Sequence, residues 1–249
     1  MGAGSVRAAV AAMGLAGLAA CGGGMGLPAW RPITPQQEAV RPAFNVQAAY
    51  NYTVTDATPL AFRVEGTADG VPYAGTGFYE QSMLETVAEF GNHGGALRKT
   101  TPVRMTLSVG GREVKAESLT QEFYARMGLQ LLGRLATGPQ PEFLDVTSYA
   151  GLPSQAAVGS GGVLFTADRY SDAARRVLTG HSEATYALEP DGVPGSAVLV
   201  VRTEDKALDG SISAVTTTVY RISQAGTAKR MSETIADGQG NTRLAATFL

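Results

Sequence analysis

The C-terminal third fixes the kind of fold available to this chain. Ala197 to Thr203, Ile212 to Ile222, Ala228 to Ile235 and Thr242 to Phe248 read as strands, separated by Asp209-Gly210, by Gln224-Ala225-Gly226 and by Asp237-Gly238-Gln239-Gly240-Asn241. Turns this short leave no room for the crossover helices that parallel neighbours need, so successive strands must run antiparallel. The predicted class is therefore mainly β: antiparallel meander sheets, as a sandwich or half-barrel, with at most one or two short helices.

The same grammar extends upstream. Asn45 to Thr55 carries Val46, Tyr50, Tyr52 and Val54, and Leu60 to Gly66 alternates Leu60, Phe62 and Val64, both as half-buried strands do. Asp69-Gly70 turns the chain into Val71 to Glu80, where Gly75 and Gly77 signal a bend or a close backbone approach. Val103, Met105, Leu107 and Val109 alternate into Gly110-Gly111, the form of a two-residue hairpin. Ser82 to Phe90 fits both helical and strand spacing and is assigned as strand. Ser118 to Leu135 offers a capping box, Ser118 with Gln121, and helical spacing at Leu119, Phe123, Met127 and Leu131. Gly128 and Gly133 oppose a full helix at ~1 kcal/mol each, which favours a strand to about Tyr124 and then a short helical or irregular connection. Gly138-Pro139-Gln140-Pro141 marks the boundary between a predicted N-terminal β lobe, 44–138, and a C-terminal antiparallel β lobe, 142–249.

Charge and ligand-forming residues narrow the function. Twenty Lys and Arg against 22 Asp and Glu give a net charge of −2, with no basic surplus to suit nucleic acid. Two histidines, His93 and His181, and one cysteine are too few for an ordinary zinc site, so neither a metal nor another cofactor is expected. Gly159-Ser160-Gly161-Gly162 fails the G-x-S-x-G pattern because Val158 holds the first glycine's place, and it reads as a loop before the strand Val163 to Thr166. Acids cluster at Glu80, Glu85 and Glu89 and at Glu204-Asp205, most simply as solvated faces; no catalytic residue is assigned. Asp168-Arg169-Tyr170-Ser171-Asp172 with Arg175-Arg176 reads as a salt-bridged turn, with a functional rim as the alternative. Tyr50, Phe62, Phe78, Phe165, Tyr186 and Tyr220 read as core.

The single cysteine carries the most specific motif. Cys21 closes Leu18-Ala19-Ala20-Cys21, after Arg7 as a sparse positive segment and an apolar run from Ala8 to Ala20. That run is about 13 residues, short of the ~20 needed to span a bilayer. The tetrapeptide resembles the lipobox of bacterial lipoproteins. The resemblance implies a signal peptide over residues 1–20, lipidation (palmitate or a similar acyl chain) at Cys21, and a mature chain of about 229 residues that begins there. Gly22 in place of the aspartate that retains such proteins at the inner membrane implies the outer membrane, with the body facing the periplasm. Gly22-Gly23-Gly24 and Pro28, Pro32, Pro35 and Pro42 then make 21–43 a flexible tether, in which Trp30 packs on the body or rests at the bilayer interface. N-myristoylation fails, since Val6 stands where Ser or Thr is required. The rest of the chain resembles the uncharacterised β-rich lipoproteins of proteobacterial genomes, which supplies no activity.

The expectation is thus a lipid-anchored protein of the cell envelope, partnered by the membrane and not by nucleic acid, most simply a non-catalytic binding or assembly module for an envelope protein. A half-barrel carrier of lipid or another apolar ligand, with a face lined by Phe62, Phe78 and Val109, is the alternative, and a hydrolase a second one.

Overall fold

The computed structural model describes residues 42–249, apart from 69, 92 and 138–140. Cys21, the lipobox, Trp30 and almost all of the expected tether lie outside the described residues. Ala43–Phe44 (β1) leads into a helix, Val46–Thr55 (α1), followed by fourteen more strands: Leu60–Ala68 (β2), Val71–Tyr79 (β3), Glu85–Phe90 (β4), His93–Val109 (β5), Arg112–Ala125 (β6), Leu131–Thr137 (β7), Glu142–Tyr149 (β8), Ala156–Ala157 (β9), Gly161–Tyr170 (β10), Leu178–Pro190 (β11), Ser196–Ala207 (β12), Ile212–Ser223 (β13), Ala228–Asp237 (β14) and Thr242–Phe248 (β15).

The expected antiparallel meander is present, and it closes on itself. The sheet runs β3-β2-β15-β14-β13-β12-β11-β10-β8-β7-β6-β5, and β3 pairs with β5 to complete a 12-strand barrel. β5 is long enough to serve three neighbours: His93 to Arg98 pair with β4, Val103 to Val109 with β3, and Ala96 to Val109 with β6. The β3–β5 seam needs glycine. A Cβ on Gly75 would stand 2.1 Å from the Thr106 carbonyl oxygen, and one on Gly77 would stand 2.3 Å from Phe62 Cζ. The close approach expected of these glycines is therefore the barrel's closure. At Gly110-Gly111 both residues take positive φ, 55° and 78°, as the hairpin between β5 and β6 requires. β7 and β8, on either side of the expected lobe boundary, pair with each other, so 44–138 and 142–249 contribute to one closed sheet.

Three local expectations are corrected. Asn45 to Thr55 is a helix and not a strand: the Asn45 side chain caps it by accepting from Ala48 N–H at 3.0 Å, and Val46, Ala49, Tyr50 and Val54 form one buried face. Over Ser118 to Leu135 the reading holds, since β6 continues to Ala125 and a short turn over 126–129 delivers the chain into β7. Gly161 and Gly162 belong to β10 and not to the loop before it. Phe78 is 56% exposed, because the alternation that sends Tyr79 inward sends it outward.

Inward side chains divide the interior. At one end α1 shares a core with Tyr124, Leu144, Leu164, Leu199 and Ile222. Elsewhere Phe62, Tyr79, Val103, Leu107, Ile235 and Phe248 pack together, with the rings of Phe62 and Phe248 5.6 Å apart. The outer face carries charge, with Arg98 paired to Glu85 at 2.9 Å, Arg104 to Glu80 at 2.7 Å and Arg202 to Glu204 at 2.7 Å. A membrane-spanning barrel has the reverse pattern, an apolar band outside and polar groups within. Outside the wall, Phe90 of β4 stacks on Phe123 at 4.1 Å, which draws β4 down against β6 to β8.

Candidate functional site

Eight strands enclose an interior that side chains just fill, whereas 16 to 18 leave an open channel. With 12 strands there is room for α1 and something over. What remains is a cavity of about 310 Å³ between the C-terminal half of α1 and the wall formed by β2, β3, β5 to β7, β13 and β14. Tyr52, Thr58 and Lys229, all exposed, stand at its mouth.

A lateral row of charge crosses the cavity wall. Lys99 on β5 stands opposite Glu122 on β6, and Glu122 stands opposite Arg134 on β7. Residues so paired point to the same face with Cβ atoms about 5 Å apart. Lys99 is 2% exposed, and its ammonium donates to the carbonyls of Thr53 (2.8 Å) and Asp56 (2.7 Å) at the C-terminus of α1. A cation there satisfies carbonyls the helix leaves open and suits the negative end of its dipole. Burial lowers the Lys99 pKa to about 8, against the opposing pull of Glu122 and Asp56. Glu122 Oε2 accepts the Tyr124 hydroxyl at 2.9 Å.

Arg134 is different. Its side chain is 8% exposed and lines the cavity, and its nearest carboxylate oxygen, Glu142 Oε1, is 3.9 Å away, beyond hydrogen-bonding distance. Glu142 gives its other oxygen, Oε2, to Arg169, whose Nε donates at 2.9 Å, while Oε1, buried and without a hydrogen-bond partner, faces Arg134; Arg169 in turn lies 3.9 Å from Asp205, the acceptor of Ser182 Oγ at 2.6 Å. On the far wall Arg230 pairs with Glu233 and lies 4.7 Å over the ring of Tyr79 and 4.9 Å over that of Phe248. Tyr50, Tyr79, Tyr124 and Tyr220 complete the lining, and burial raises the pKa of all four, so each remains a neutral hydroxyl at physiological pH.

The residues singled out in the sequence lie elsewhere. His181 Nδ1 sits 2.8 Å from Asp168 Oδ1 on the outer face, and His93 opens β5 opposite Phe90. Among the described residues no group of three or more His, Cys, Asp or Glu is placed to hold a metal ion. Ser160 forms a turn, its N–H bonded to the Ala157 carbonyl at 3.0 Å. Glu80, Glu85 and Glu204 are surface ion-pair partners, while Asp205 points inward to Ser182. The segment from 168 to 176 divides: Asp168 faces outward, Arg169 faces the interior, and Asp172 with Arg176 forms the expected bridged turn at 3.0 Å. Phe62, expected to line a ligand face, is 1% exposed within packed core, and Phe78 is outside the barrel. Lys99, Glu122, Arg134 and Arg230 were not legible as a site. The one local signal is at Arg134, a charge on the inward parity of the otherwise apolar Leu131-Leu132-Gly133-Arg134-Leu135.

No family model, curated protein or solved structure matches this chain.

Proposed function

We propose that this chain is a lipid-anchored protein of the cell envelope whose barrel holds a small organic molecule in the cavity beside α1, binding it without transforming it. The cavity carries this reading. At about 310 Å³ it falls at the lower end of the range for small-molecule sites, and its lining combines aromatic surface with a few fixed polar groups, as such sites do. Barrel closure also consumes sheet edges through which a partner strand could add, which favours the cavity over an assembly surface. The charged outer face suits a body standing in water, and the lipobox at Cys21 supplies its mooring, since two or three acyl chains hold a protein where one gives only marginal residence.

Two measurements test this. Cys21→Ser is expected to remove the protein from washed outer membranes; full retention there overturns the anchor. Ala228→Trp places an indole in the cavity, and in a thermal-shift screen of small aromatic and alkyl compounds it is expected to abolish the shifts seen with the native chain. Equal shifts in both proteins, or none in the native one, overturn the cavity reading.

A further inference from the structure

We propose that the cavity selects an organic monoanion, a single carboxylate seated against Arg134 and Lys99 with a flat apolar body among the rings of Tyr79, Tyr124 and Tyr220; this rests on the reading of the cavity as a small-molecule site. The first observation is Arg134. A guanidinium carries five N–H donors in a planar fork that matches a carboxylate, and this one, nine-tenths buried, meets no hydrogen-bond acceptor among the described residues. Buried donors of that strength are normally satisfied, and desolvating them without a partner is costly.

The second observation is the charge of the row. Lys99 and Arg134 flank Glu122, so the wall presents two cations and one acid, and that acid already accepts the Tyr124 hydroxyl. The other interior acids, Glu142, Asp205 and Glu233, do not line the cavity: Glu142 lies between Arg169, bonded to its Oε2, and Arg134, 3.9 Å from its Oε1, and Glu233 pairs with Arg230. Two of the three N–H bonds of the Lys99 ammonium go to Thr53 and Asp56, which leaves the third for a ligand. With four interior cations, Lys99, Arg134, Arg169 and Arg230, set against four acids, Glu122, Glu142, Asp205 and Glu233, a ligand brings its charge uncompensated, and a carboxylate at −1 is tolerated better than a phosphate monoester, which carries ≈ −1.5 to −2 at neutral pH. The three tyrosine rings provide flat surface for the body of the ligand, and the volume of about 310 Å³ sets a small one.

The test is calorimetric titration of the purified full-length chain with benzoate, 2-naphthoate and octanoate, each beside its uncharged amide, and with phenyl phosphate. At least one carboxylate is expected to bind at least tenfold more tightly than its amide and than phenyl phosphate. Arg134→Gln should abolish that preference without changing amide affinity, and Arg134→Lys should restore part of it. Circular dichroism melts establish that each variant folds; should Arg134→Gln not fold, Lys99→Met is read in the same way. Carboxylate and amide binding alike, or phosphate binding more tightly, overturns the monoanion assignment while the cavity reading stands. No binding by any compound overturns both.

Discussion

Lys99 is the test of whether the helix is latched from inside the barrel. Its pKa is lowered from the ordinary 10.5 to about 8, chiefly by burial. Between those two values the unfolded chain holds a proton that the folded chain has released, so stability rises with pH across the window and falls again as pH drops through about 8. Each pH unit is worth about 1.4 kcal/mol, so Lys99 by itself should contribute a gain of about 2 kcal/mol from pH 8 to pH 10. From about pH 9 upward the tyrosines oppose that gain, and above pH 10 they dominate it. Burial holds Tyr50, Tyr79 and Tyr124 protonated in the fold while the unfolded chain ionises, and stability then declines. Lys99→Met removes the rising limb and keeps the decline. Near pH 7 the variant loses two charge-assisted hydrogen bonds, about 1.5 to 3 kcal/mol each, and is relieved of a burial cost of about 3 kcal/mol. The two proteins should therefore lie within a few kcal/mol of each other there, and the variant should fall behind by a further 2 to 3 kcal/mol at pH 10. Urea denaturation of both proteins at intervals from pH 7 to 11 measures this. A native-minus-variant difference that does not grow between pH 8 and 10 would refute the burial of this ammonium against Thr53 and Asp56.

Two further perturbations bear on the scaffold. Asn45→Ala deletes the acceptor for Ala48 N–H and should cost about 1 kcal/mol in chemical denaturation, the usual value of an N-cap; an unchanged midpoint would mean that the cap does not help hold α1. Gly77→Ala puts a methyl 2.3 Å from Phe62 Cζ and 2.7 Å from the Arg104 carbonyl oxygen, and should destabilise by about 1 to 3 kcal/mol or more, as overpacking does. Loss of amide protection concentrated at Val103 to Val109 is the accompanying sign of an opened seam, and a variant as stable as the native chain would show that closure does not depend on this glycine.

What could be read from the sequence was what neighbouring residues decide. The hairpin at Gly110-Gly111 and the turns after β12, β13 and β14 depend on local dihedral preferences, and the strands they separate fall where the alternation placed them. α1 escaped because Tyr50, Tyr52 and Val54 also satisfy strand spacing, and β-branched and aromatic residues favour strands. Its helical state is decided by the lumen, which takes up Val46, Ala49, Tyr50 and Val54 together. Phe78 was misread by parity alone, since one step along a strand exchanges core for solvent. The cavity was illegible for a further reason. Lys99, Glu122 and Arg134 become neighbours only through the register of three strands, and nothing local reports that register.

The interior follows from strand number. A wall of 12 strands encloses more volume than its own side chains fill, and leaving that volume empty would forfeit the contacts that stabilise a close-packed core. α1 occupies part of it, and the row from Lys99 through Glu122 and Arg134 towards Glu142, Arg169 and Asp205 occupies another part with alternating charge. Apolar residues of similar size would often serve stability at least as well, because buried ion pairs seldom recover their desolvation cost. A purely structural filler would therefore have no need of a guanidinium open to the cavity and short of acceptors. On the proposed reading Arg134, 3.9 Å from Glu142, takes its hydrogen-bond acceptor from a bound carboxylate, and Lys99, which fixes α1 at one wall, holds the cavity open.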